Sequence, residues 1–199
     1  MRRPHRNLLA LEILGAVFIS GGSGFLHFLF EWSGYALPAA LIAAVNESLW
    51  EHLKIAFWPA VLWAGIERLW LGDRYPGFVC AKALSFLVVP MVTLASYLLY
   101  TALTGSHSVL VDILGLQLAI VLGQVASYRW MVSGRQSSHQ RRFGMATIAV
   151  LALMFSTMSV FAPQTPLHVD QNFGSYGILS DEEYAELRKI SEAFMRGEY

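Results

Sequence analysis

Residues 8–30 run for 23 positions with only Glu12 and His27 interrupting an apolar sequence. At about 1.5 Å of rise per residue, such a run crosses the roughly 30 Å hydrocarbon core of a bilayer as one helix. The apolar run continues past Gly24, which favours a retained span over a cleaved leader. Residues 77–104, 109–132 and 144–162 repeat the pattern, and residues 48–71 form another helix with a shorter uncharged centre at 55–66. Charged residues are 14% of the chain, against about 25% in ordinary soluble domains. The fold class this predicts is all-α, a polytopic membrane helix bundle of about five transmembrane helices.

Two segments depart from the spanning pattern. Residues 35–45 are apolar but too short to cross, and Pro38 limits a helical start, so they read as a short re-entrant or interfacial segment. Residues 163–199 are polar and form an extramembrane C-terminal tail beside the bundle of residues 1–162. Within the tail, Ser180 and Glu183 have capping-box spacing. Tyr184, Leu187, Ser191, Phe194 and Met195 give one stripe of an amphipathic helix, which would rest on lipid, on the bundle or on a protein partner.

Charge sets both the orientation and the exclusions. Zero net charge offers no basic excess for nucleic acid, and Cys80, the single cysteine, offers neither a disulfide nor a thiolate metal site. With five spans, Arg2, Arg3, Arg6, Arg68, Arg74, Lys82, Arg129, Arg135, Arg141 and Arg142 gather on one side. The positive-inside rule then places the N-terminus in the cytoplasm and the C-terminus outside it. Glu12 and Lys82, both a short way into the membrane from that side, are expected to pair between helices. Gln117, Gln124 and Tyr128 lie at steps of seven and four, an inward polar stripe suited to interhelical hydrogen bonds.

Residues 45–54 (VNESLWEHLK) place an amide, two carboxylates, an imidazole and an ammonium at the outer mouth of a span. Such groups are expensive beside a membrane and mark a site to be tested. His27 and Glu31 at the end of the first span, and His107 and Asp112 at the start of the fourth, are expected on the same side. A catalytic reading takes Glu51 and Glu47 as acid or base, His52 as base or ligand, and Asn46 as an oxyanion or substrate donor. A metal reading takes His27, Glu31, His52 and Asp112 around a divalent ion such as zinc. The competing structural reading makes Ser48 and Glu51 a helix cap and leaves His52 and Lys54 at the headgroups.

The block, read as VNES-x-WEH-x-K, resembles the signature of an uncharacterised family of small prokaryotic multi-pass membrane proteins. Residues 107–113 and Gly123-Gln124 resemble that family's fourth-span segment. Pro163 through Ile178 is similar to its tail, PP-x-x-PLF-x-DP-x-x-G-x-YGI, with Gln164, His168 and Gln171 as departures. The resemblance implies a helical protein of the prokaryotic inner membrane and supplies no reaction. Three functions are compatible with the residues: a membrane-embedded hydrolase with or without a metal, a proton-coupled transporter of a small solute, or an accessory scaffold subunit.

Overall fold

The computed structural model describes residues 4–71, 73–134 and 137–196. Among them run seven helices: α1 (Pro4–Trp32), α2 (Leu37–Ala40), α3 (Leu49–Leu71), α4 (Phe78–Thr104), α5 (Val109–Ser133), α6 (Ser138–Thr157) and α7 (Asp181–Met195). Arg6–Trp32, Phe78–Thr104 and Val109–Ser133 are long and apolar enough to cross a membrane. α3 and α6 pack in the same bundle, but Glu51, Lys54, Glu67 and Arg68 in one, and Arg141 and Arg142 in the other, dilute their hydropathy.

Helix boundaries follow local chemistry. α6 begins at residue 138, before the expected 144, because Ser137 accepts from the Gln140 amide while the Gln140 side chain returns to Ser137 N, closing a capping box. That start carries Arg141 and Arg142 into the helix, where hydropathy alone excludes them. At Ser180 the expected box forms in full: Ser180 N donates to Glu183 Oε2 at 2.8 Å and Glu183 N to Ser180 Oγ at 3.3 Å. The side chains of Leu187, Ser191, Phe194 and Met195 in the expected α7 stripe lie outside the described residues.

One core joins the long helices. Ile19, Trp50, Leu53, Phe57, Phe86, Val89, Leu116, Ile120 and Phe155 are buried together, contributed by α1, α3, α4, α5 and α6. Outward faces are apolar as well, with Ile13, Val17, Leu99, Leu103, Leu118 and Leu153 exposed. That is the inverse of a soluble surface and suits lipid. Where α1 crosses α3, a Cβ on Gly22 would lie 2.7 Å from the Pro59 side chain, so only glycine permits the approach.

Hydrogen bonds define the two ends of the bundle. At one, Glu12 of α1, Glu67 of α3, Lys82 of α4 and Ser127 of α5 meet. At the other, the α3 start is bonded to Ser159, just past α6. Gln171 of the tail reaches Tyr97, near the α4 end, at 3.3 Å. The long helices therefore alternate in direction. Residues 35–45 fold as the single turn of α2 and bends, with Ala40, Ala43, Ala44 and Val45 buried against protein. Irregular backbone is tolerated at membrane depth only when enclosed in this way.

Candidate functional site

The block at 45–54 divides its polar groups between an interior lock and an open cluster, and the start of α3 decides which goes where. Because α3 begins at Leu49, Glu51 lies in the first helical turn and points inward, whereas Glu47 sits in the preceding turn. Ser48 Oγ caps Glu51 N at 3.4 Å, but the Glu51 carboxylate reaches Val45 N at 3.1 Å instead of completing the reciprocal bond. Ser48 N is taken by Asn46 Oδ1 at 2.9 Å. The cap exists, and the box expected from sequence is half formed.

Glu51 belongs to the interior lock. Its Oε2 lies 2.5 Å from Lys54 Nζ, and its Oε1 accepts from Ser159 Oγ at 2.6 Å. Lys54 spends its remaining donors on Ser159 Oγ at 2.6 Å and the Ala40 carbonyl at 2.9 Å. Lys54 is 0% exposed and Glu51 1%. An ammonium with three acceptors and a carboxylate with three donors form a closed set, the condition under which a buried ion pair is tolerated.

The tail covers this lock. Asn46 Nδ2 donates to Gly177 O at 2.8 Å, Trp50 N to Leu167 O at 2.8 Å, and Tyr184 Oη to Val45 O at 2.9 Å. Gly177 has φ 69°, and a Cβ there would stand 2.9 Å from Ser159 O, so both its conformation and its space require glycine. Asp170, buried, accepts from Asn172 N and Phe173 N through Oδ1 and from Glu47 N through Oδ2 at 2.8 Å. The tail motif thus braces the block through its backbone carbonyls at Leu167 and Gly177 and through the Asp170 side chain, which fixes the backbone at Glu47.

Held in this way, Glu47 faces two histidines. Its Oε2 is 3.5 Å from His27 Nε2 and 3.6 Å from His52 Nε2, and the imidazole centroids are 5.4 Å apart. All three side chains are half-buried. His52 Nδ1 lies 2.8 Å from Ser48 O. A carbonyl can only accept, so Nδ1 carries the hydrogen, and in the neutral ring Nε2 presents a lone pair toward Glu47. Burial opposes charge on Glu47, but its close contact with His27 and the field of the two imidazoles when protonated outweigh it, holding the carboxyl below the ordinary range.

Among the described residues, His27, Glu47 and His52 are the group whose ligand atoms converge, all within 4.8 Å of one another. The other candidates lie apart from them. Glu31 is exposed at the end of α1. Asp112 pairs with Tyr100 across the tight α4–α5 connection and lies 4.0 Å from His107. Glu51 and Asn46 are in the lock and its struts. Sequence reasoning sets His27 beside the block but takes Glu47 as a catalytic group and not as a ligand with His27, because the turn that aims it depends on Asp170, more than a hundred residues away. Ser159, Asp170 and Gly177 carry the architecture of this end, and the tail motif was the available signal for the last two.

The fold is an all-helical bundle with apolar helices compatible with an integral membrane protein. The chain belongs to DUF6512, a family of unknown function whose model matches residues 4–178. That match takes in both the block and the tail as far as Ile178. No curated protein and no solved structure matches the chain.

Proposed function

We propose that this chain is a five-span protein of the prokaryotic inner membrane that binds a divalent cation such as zinc between His27, Glu47 and His52, as the centre of a hydrolytic site on the extracytoplasmic side. One observation carries the reading. One carboxylate oxygen and two imidazole Nε2 atoms converge at 3.5 and 3.6 Å, and with both rings neutral their lone pairs and the carboxylate would enclose a single cation. Tetrahedral zinc with bonds of about 2.0–2.1 Å separates its ligand atoms by roughly 3.4 Å. The separations of 3.5 and 3.6 Å from Glu47 Oε2 are close to that, and the three ligand atoms lie within 4.8 Å of one another.

The remaining residues fit a supporting role. Ser48 O holds His52 in the tautomer that leaves Nε2 for the metal, the usual outer partner of a ligating imidazole. Asp170 and Asn46 anchor the turn that carries Glu47, and Glu51 with Lys54 locks the base of that turn. A divalent ion with three protein ligands supplies an acidified water and a Lewis acid for an ester, amide or phosphoryl group.

Metal analysis of the purified full chain tests the proposal. One equivalent of zinc is expected after incubation and dialysis, falling to background in His52→Ala and Glu47→Gln and staying in Glu31→Gln and Asp112→Asn. Failure of the unaltered protein to retain zinc, or equal retention in all four variants, rejects the site.

A further inference from the structure

At the opposite end of the bundle, three charged side chains from three helices are sealed in an apolar setting. Glu67 is 0% exposed, Lys82 2% and Glu12 3%. Lys82 Nζ lies 3.0 Å from Glu12 Oε1 and also pairs with Glu67 Oε2. Ser127 Oγ donates to Glu12 Oε1 at 2.7 Å, and Gln124 Nε2 to the Glu12 carbonyl at 3.2 Å. Two carboxylates therefore share one ammonium, and full ionisation leaves one uncompensated negative charge in the interior. A low-dielectric interior does not sustain such a charge; the group takes up a counter-ion or a proton.

Among the described residues, the ion pairs of Glu12 and Glu67 run to Lys82 alone. Arg68, next to Glu67 on α3, pairs with Asp73 and lies over the Phe78 ring at 5.8 Å. The Phe78 ring also lies 5.5 Å from Lys82 Nζ. Tyr75 and Tyr128, the ionisable groups packed in the adjoining apolar cluster, are phenols and bring no positive charge. Arg6, Arg74 and Arg129 at this end are exposed. Two oxygens of the cluster, Glu12 Oε2 and Glu67 Oε1, are buried without a hydrogen-bond donor. Both carboxyl groups lie within ion-pair reach of the same Lys82 Nζ.

We infer that Glu12, Glu67 and Lys82 form a buried binding site for one proton, shared between the two carboxyl groups above the ammonium. The proton comes from solvent, forms one O–H bond, gives the facing carboxyl a donor, and brings the cluster to zero net charge. Packing of α1, α3, α4 and α5 at this end then depends on a single proton. At roughly 1.5 Å per residue of α1, the site is about 22 Å from His27, so it is separate from the cluster at the other mouth.

Infrared spectroscopy of the full chain in lipid nanodiscs tests this without requiring any variant. At neutral pH, a protonated-carboxyl C=O stretch that exchanges slowly with D2O is expected, and it disappears as the pH is raised. Glu12→Gln and Glu67→Gln should each remove it, whereas Glu182→Gln, on the exposed face of α7, should not. Thermal melting gives a second readout: the unaltered protein should lose stability from neutral to alkaline pH, and Glu67→Gln should be flat. The proposal is overturned by absence of the band at neutral pH or by a band that survives both substitutions. Stabilisation by Na+ at fixed pH, without the band, would reassign the site to a metal cation.

Discussion

His168 shows how one substitution can leave a packing role intact and add a liability. The tail motif that this chain resembles has an aromatic residue there, and His168 keeps the stack, its ring 4.7 Å from that of Trp50. Nδ1 meets Thr165 Oγ1 at 2.8 Å, while Nε2 is buried without a partner. Burial pushes the imidazole below its ordinary value, only partly offset by Glu51. The folded state thus resists a proton that the unfolded chain accepts, and stability is lost as pH falls below about 6.5. His168→Phe should melt like the unaltered protein at neutral pH and lose less on mild acidification; an unchanged acid response would reject the assignment. Lys54 carries a larger stake. Lys54→Met strands Glu51 and should cost about 3–5 kcal/mol, read from denaturation in detergent, with much of it recovered in the Glu51→Leu, Lys54→Met double variant. At this scale sequence shows which residues are unusual more readily than which ones meet. Glu47 and Glu51 are four apart and would share a face only in a helix that began before residue 47. Since α3 starts at Leu49, one carboxylate is enclosed and the other joins the histidines.

Helices α1, α3, α4 and α5 lie close to their expected spans because hydropathy and helical phase act within a single element. The Glu12–Lys82 pair was legible for the same reason, each residue standing at a similar depth in its own helix. Gln117 and Gln124 also take interhelical partners as their phase implies, Ser20 on α1 and Ser85 on α4. Glu67 escaped notice as a third member because it reads as the polar end of α3 until α4 is placed against it. The tail was the least legible element, since its bonds to the 45–54 block run to residues more than a hundred positions away. Tyr184 is its clearest anchor: its hydroxyl accepts from Leu179 N at 3.1 Å and donates to Val45 O at 2.9 Å, while its ring stacks on Tyr35 at 4.4 Å. Tyr184→Phe keeps the stack and removes both bonds, at a cost of about 1–3 kcal/mol. Hydrogen exchange should then quicken at Leu179 and across α7 while α4 and α5 remain protected. Uniform quickening throughout the bundle would show instead that the tail is not a separable unit.

For the whole molecule, the alternating direction of the helices turns the span number into a question of which connections face which side. Three helices are apolar enough to cross on composition alone, yet α3 packs against α1 and α4 and is ion-paired to α4 through Glu67 and Lys82, and α6 packs against α4. If all five cross, the connection at 72–77 shares a side with the N-terminus, and the connection at 105–108 shares a side with the tail. Glu12 near the start of α1 and Glu67 near the end of α3 both meet Lys82 near the start of α4, so α1 and α4 run parallel and α3 returns the chain from one end of the bundle to the other between them. The two short connections therefore report which way the bundle faces. The chain's one cysteine is buried, so a Cys80→Ala background accepts single probes at exposed positions. With five spans and the expected orientation, Ser106→Cys should react with an impermeant maleimide on intact cells, and Asp73→Cys only after permeabilisation. The reverse pattern would turn the bundle over, with the N-terminus outside, and would place the His27–Glu47–His52 cluster on the cytoplasmic side.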